Sequence, residues 1–284
     1  MVKYPPSCQK PQKFDWSYFI RHIAIIAVPV ALQNLLTTTG SMVDTMMLAS
    51  LGEQTVGAVG LCAQFSSLMF AGYWGFVGGG MLFFSQYWGA KNDDGINRSF
   101  GLTVSFMMTV GIIFSFLALG APDFIMNIYT DKPEIQKIGI SYLKTVGFAY
   151  VLQVLAMAVS ALLRSIEQVK IPLYGGMASV IANCLFNYLL IFGKFGFPKM
   201  GVKGAALGTV LAGVVNLLFL LFFIMKNKIP YVLEFSRHFR WDRKFVHQYL
   251  QKCFPILCNE VMIGVGNMMI NIVLGHQSEK AIAA

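Results

Sequence analysis

The most informative chemistry in this sequence is charge at membrane depth. Of its 13 acidic residues, only Asp44 and Glu260 lie well inside long apolar stretches. An ionisable side chain at the centre of a bilayer costs roughly 2.5–3.5 kcal/mol on insertion scales, so each requires a partner or a purpose. Thr37, Gly40 and Ser41 precede Asp44 by seven, four and three residues and share its helical face. The functional reading is a proton or cation site facing a cavity, with Na+ as the one metal it would hold. The alternative is a carboxylate near enough to the interface to stay hydrated. Glu260 follows Pro255 by five residues, with Asn259 beside it. It is either a substrate or coupling group or the partner of Lys252 or an arginine.

Uncharged polar residues add to this set. Asn183 and Asn187 are spaced i, i+4 on one face, and two carboxamides in hydrocarbon need partners on other helices or a bound ion. Thr209 shares a face with Gly213 and would add a hydroxyl. Gln153 and Ser160, seven apart, either line a cavity or join helices. Interhelical hydrogen bonding explains each spacing as well as an ion site does. Gly75 with Gly79, and Gly204 with Gly208, are small-xxx-small pairs that let helices approach closely.

No catalytic constellation accompanies them. The four histidines are scattered near span ends or in a connector, and there is no HExxH, GxSxG or cysteine–histidine grouping. Gly78–Gly80 lacks the lysine and hydroxyl of a phosphate loop. A transporter, without enzymatic activity and without a cofactor, is the expectation.

The elements that must position these residues are membrane helices. Apolar residues make up 56% of the 284 positions and charged ones 12%, about half the usual share for a soluble domain; the mean hydropathy is +0.62. Seven spans follow, over 20–48, 56–87, 100–121, 138–163, 172–193, 204–225 and 249–275. Each is long enough for a helix to cross roughly 30 Å of hydrocarbon. The fold class expected is all-α, a polytopic helical bundle. Strand alternation is absent, and backbone groups in lipid must be satisfied within the segment. The five cysteines have no metal spacing and read as small apolar residues. No cleavable signal peptide is visible.

The net charge of +9 invites a nucleic-acid reading, but the bases flank spans, so no nucleic-acid partner is expected. Fourteen lysines and arginines fall on the side of the N-terminus and even-numbered connectors, against five on the other side. This asymmetry predicts a cytoplasmic N-terminus. The connector 226–248 mixes six bases with Phe239, Trp241 and Phe245; it reads as an amphipathic segment on the headgroups or as a solvated linker.

Displacement by 226 residues sets Pro29 on Pro255, Gly40 on Gly266, Met42 on Met268, Leu48 on Leu274, Glu53 on Glu279 and Ala58 on Ala284. Six spans lie between the copies, so both run in one direction, as in a parallel repeat. The predicted organisation is a cytoplasmic segment 1–19, a six-helix N-lobe 20–225, a basic inter-lobe connector 226–248, and the first helix of an incomplete C-lobe, 249–284. Residue 284 reads as a truncation, and the truncated chain is expected not to transport.

Several stretches together resemble the multidrug and toxic compound extrusion (MATE) family. They are Pro29 through Val43-Asp44-Thr45 to Leu51-Gly52; Gln86 to Lys91; Arg164 with Lys170-Ile171-Pro172; Asn183 to Asn187; Ile191 to Pro198; and Gly201 to Thr209. They cover nearly the whole chain in the family's order. The resemblance implies twelve helices in two lobes and export of amphipathic, often cationic, drug-like molecules. Alternating access would be driven by inward Na+ or H+, in a bacterial inner (plasma) membrane, by a protein monomeric when full length. It further implies that Asp44, Asn183, Asn187 and Thr209 form the cation or proton site, although Asn187 stands where some members have aspartate. Glu260, Gln153, Thr37 and Ser41 are further substrate or coupling candidates. The rivals are a lipid-linked oligosaccharide flippase, which would need a strongly cationic cavity, a channel, and a membrane-embedded enzyme.

Overall fold

A computed structural model describes residues 16–232, 238–239 and 241–275. Most of the N-terminal segment, part of the basic connector, and the repeat matches at Leu274 (as a side chain), Glu279 and Ala284 lie outside the described residues. Where the chain is described it is almost entirely helical, and no strand occurs among the described residues. The helices are α1 (Trp16–Ala49), α2 (Glu53–Gly89), α3 (Asp93–Gly120), α4 (Pro122–Tyr129), α5 (Pro133–Ser165), α6 (Lys170–Phe192), α7 (Val202–Lys226) and α8 (Arg243–Gly275), with a 3-10 turn at Pro230–Val232. All except α4 are long and apolar enough to cross a membrane. The protein is an all-α, multi-pass membrane protein.

Local sequence sets the ends of these helices. Gly52, at φ 114°, turns the chain between α1 and α2. Asn92 caps α3 by accepting from the Gly95 amide at 2.9 Å. Pro122 and Pro133 open α4 and α5. Gly193, at φ 68°, closes α6 in the left-handed conformation. These caps lie beyond the apolar windows, so most helices outrun the predicted spans. At 1.5 Å per residue, the 37-residue α2 is about 55 Å long. α4 was invisible to a hydropathy reading because eight residues cannot span; it folds back and buries Ile125, Met126 and Tyr129 instead.

α5 is central, in contact with α2, α3 and α7, while α1 lies against α6 and α8 against α2. The glycine pairs act as expected. A Cβ on Gly204 would lie 2.7 Å from the Leu190 carbonyl of α6. One on Gly75 would lie 2.5 Å from the Leu257 Cα of α8. Gly79 faces Cys253 and Gly264 faces Ala71, so α8 descends α2 antiparallel. Because α2 follows α1 by a three-residue turn, α1 and α8 run in the same direction. Cys62 and Cys253 are buried free thiols, Cys184 is half-buried and Cys258 exposed; Cys8 lies outside the described residues.

The described part of the connector packs partly against the bundle. Ile229, Tyr231, Val232 and His238 are buried against protein. The Tyr231 hydroxyl donates to Asp93 Oδ1 at 2.7 Å, and His238 Nε2 lies 2.7 Å from the Tyr231 carbonyl. His238 also rests on Gly101 and edge-on to Phe100. For these residues the end of α3 offers apolar partners and a carboxylate.

Candidate functional site

The site begins with the face of α1. Gln33, Thr37, Gly40 and Asp44 recur at i, i+4, i+7 and i+11, which on a helix makes one stripe. Gly40 allows α1 close to α6, since a Cβ there would meet Val180 Cγ1 at 2.9 Å. Opposite lie Val180 and Asn183 of α6, Thr209, Gly213 and Asn216 of α7, and Gln153, Met157, Ser160 and Arg164 of α5. Phe70, Tyr73 and Trp74 of α2 form an aromatic wall. Together these helices line a half-open cavity of about 610 Å³.

At one end stands Asp44. Its Oδ1 accepts from Asn187 Nδ2 at 2.5 Å, a charge-assisted bond that offsets part of the cost of placing a carboxylate there. The same amide nitrogen donates to Asn183 Oδ1 at 3.1 Å. Both amide hydrogens of Asn187 are thereby committed. Its Oδ1 is buried without a partner. That oxygen fits where Gly208 lacks a side chain, since a Cβ would stand 2.1 Å from it. Gly208 thus sets the position of Asn187, and Asn187 holds Asp44.

Thr209 lines the cavity and donates to the Ala205 carbonyl of its own helix at 3.1 Å. Beside it is the hydroxyl of Tyr142, a buried residue of α5 that also lies near Asp44. The oxygen groups beside Asp44 are therefore its own carboxylate, the Asn183 carboxamide oxygen and the hydroxyls of Thr209 and Tyr142, while Asn187 presents its amide nitrogen. Hard oxygen donors suit a proton or an alkali cation and give little for a transition metal. Among the described residues no cluster of three His, Cys, Asp or Glu side chains occurs.

At the other end, where the basic connectors emerge, Arg164 points into the cavity. Its Nη2 donates to Gln33 Oε1 at 2.9 Å, and Gln33 Nε2 donates to the Pro172 carbonyl at 3.2 Å. Asp44 is the one acid and Arg164 the one base among the described lining residues.

The structure places Asp44, Asn183, Thr209, Gln153, Thr37 and Ser41 around one cavity; Asn187 lies behind the wall, fully buried. Thr37 directs its hydroxyl to the Gln33 carbonyl at 2.7 Å. Glu260 is separate. It is half-buried on α8, does not line this cavity, and makes no hydrogen bond or ion pair among the described residues, Lys252 and the described arginines included. Reading the sequence missed Gln33, Asn216, Tyr142 and the inward placement of Arg164. A signal existed for Arg164: the stripe Gln153, Met157, Ser160 extends to it by one further turn.

The MatE family model matches residues 29–189, from the proline of α1 through the asparagine that holds Asp44. The probable multidrug resistance protein YoeA of Bacillus subtilis is 25% identical over 269 residues, covering 93% of this chain and 58% of that protein. The multidrug export protein MepA of Staphylococcus saprophyticus is 25% identical over 276 residues, covering 95% and 59%. A MOP superfamily transporter from Pyrococcus furiosus superposes with a TM-score of 0.78 at 20% identity, over 92% of this chain and 57% of that one. At that identity the structural likeness concerns the fold. The chain spans about three-fifths of the length of these relatives.

Proposed function

The chain belongs to the MATE family, and we propose that it is the N-lobe and the first C-lobe helix of a secondary exporter that trades inward Na+ or H+ for outward amphipathic, often cationic, compounds. On this reading residues 20–225 form the N-lobe, 226–248 the inter-lobe connector, and 249 onward the start of the second lobe. The protein lies in the inner (plasma) membrane with its N-terminus cytoplasmic, acts as a monomer and needs no cofactor.

The observation that carries the proposal is the Asp44–Asn187–Asn183 chain in the wall of an aromatic-lined cavity. With Asp44 charged, Asn187 donates to it and ties α1 to α6. A proton or Na+ arriving at the carboxylate takes away that charge, weakening the strongest polar contact between the two helices. α1 then has reason to repack, and the affinity of the cavity for cargo changes with it. The coupling is bounded by the difference in ion affinity between the two arrangements. Trp74 and Phe70, with Tyr73 buried behind them, supply the apolar and π surface that an amphipathic cation favours.

The flippase rival calls for a strongly cationic cavity, and the lining here balances one guanidinium against one carboxylate. Ethidium efflux from vesicles, with the Na+ and H+ gradients clamped separately, tests the proposal. Efflux driven by either gradient alone is expected and names the ion. Efflux indifferent to both gradients would remove the coupling, and no efflux of any cationic dye by the intact protein would remove the exporter reading.

A further inference from the structure

Among the described residues lining this end of the cavity, Arg164 carries the one charge, and no described acid pairs with it. It forms no ion pair among the described residues, and its single partner is the neutral Gln33 amide at 2.9 Å. Its Nε is buried and bonded to nothing. Arg164 is half-buried, so its guanidinium is partly screened from water in the cavity wall, and its forked donors match a planar oxyanion. Here that geometry is prepared in advance. Gln33 is turned by its own bond to the Pro172 carbonyl, so that its oxygen faces Arg164 and fixes one edge of the fork.

Small residues make room for the arrangement. A Cβ on Gly176 would lie 3.3 Å from Gln33 Nε2, and one on Gly175 would lie 2.9 Å from Asn216 Oδ1. Ser160, one turn before Arg164 on the same face of α5, and Asn34 and Asn216 add neutral donors to the same end of the cavity. Among the described residues the lining holds no acid other than Asp44. Asp44 lies eleven residues beyond Gln33 along α1, a rise of about 16 Å.

We infer that the Arg164 end is an oxyanion subsite, so that the cavity accepts cargo carrying a carboxylate or phosphate group in addition to an apolar, cationic body. This deepens the exporter reading and rests on it for the identity of the occupant. A phospholipid phosphate carries the same chemistry, so the test has to separate the two sources.

The test uses the purified full-length protein in nanodiscs and two dyes that differ only at one group: rhodamine 110, with a free carboxylate, and rhodamine 123, its methyl ester. Fluorescence polarisation reads binding directly. The wild type is expected to favour rhodamine 110 by about tenfold, the scale of one charge-assisted hydrogen-bond pair. Arg164→Gln should erase that preference while leaving rhodamine 123 affinity within about twofold, and Arg164→Lys should keep part of it. Retained rhodamine 123 binding shows that the variant is folded; Arg164→Lys serves if Arg164→Gln is not.

Equal binding of the two dyes by the wild type, or a preference unchanged in both variants, overturns the subsite. A preference present in phosphatidylcholine discs and lost when phosphatidylglycerol is added keeps the oxyanion site and assigns it to lipid. Transport separates the two readings. Dye bound with the expected preference but never moved by liposomes sinks the exporter and leaves the subsite. Both dyes moved equally, with Arg164→Gln without effect, does the reverse.

Discussion

α1 and α8 resemble each other in length, direction and sequence signature. Each is a long helix with an internal proline, Pro29 or Pro255, and a single membrane-depth acid. Each leaves most of its apolar surface exposed, including Leu35, Met42 and Met46 on one and Met262, Met269 and Val273 on the other. What they bury is different. α8 presses backbone to backbone on Gly75 and Gly79 of α2 and sets Tyr249 between Phe83 and Phe106. The Tyr249 hydroxyl reaches Thr103 at 2.8 Å and the Phe76 carbonyl at 3.1 Å. α1 also packs Gly40 on Val180 and buries Leu48, but it adds polar contacts at both ends of the cavity, Gln33 at one and Asp44 at the other. Apolar and glycine contacts persist whatever ions are present, whereas a carboxylate contact depends on them. Of two similar helices, one is built as a strut and the other as an ion-sensitive attachment.

The largest expected effect falls on the attachment. Asp44→Asn should reduce dye efflux to the level of empty vesicles at unchanged protein amount; normal export would take Asp44 out of the mechanism. Next comes a paired test with alanine at two glycines. Gly208→Ala drives a methyl into Asn187 Oδ1, so efflux should fall severalfold with little change in melting temperature. Gly75→Ala meets the α8 backbone, so the melting temperature should drop, by the equivalent of about 1–3 kcal/mol of overpacking, before transport does. If the two variants behave alike, the division between strut and attachment fails. Smaller still, Tyr249→Phe removes one hydroxyl between two partners and should cost about 1 kcal/mol in a detergent melt, with efflux intact. The smallest effect is expected at Glu260→Gln, which should export within about twofold of wild type. A large loss there would make the two acids equivalent and erase the contrast.

Much of this was legible in the sequence, for physical reasons that differ by residue. Asp44, Asn183, Asn187 and Thr209 stood out because polar groups in hydrocarbon are costly and their helical spacing puts them on shared faces. Gly204 and Gly208 were legible as a close-approach pair, though not as the space for the Asn187 oxygen. Arg164 was hidden because hydropathy ended its span at 163, leaving an inward-facing guanidinium to be read as a connector charge. Gln33 was hidden because a single amide near a span end has ordinary explanations. Tyr142 and the buried connector around Tyr231 and His238 depend on which helices become neighbours, and no local periodicity encodes that. Glu260 shows the converse. It too is an acid within an apolar span, yet no amide among the described residues meets it.

The turn at Ser50–Leu51–Gly52 also has a mechanical consequence. It joins α1 to α2 through three residues and a glycine at φ 114°, so it is a short joint at one end of a rigid rod. Asp44 lies about 12 Å from that joint and Gln33 about 28 Å. For any rotation about this fulcrum, a displacement of 1 Å at the carboxylate becomes rather more than 2 Å at the amide. The rod works as a lever with its short arm at the acid and its long arm at the arginine.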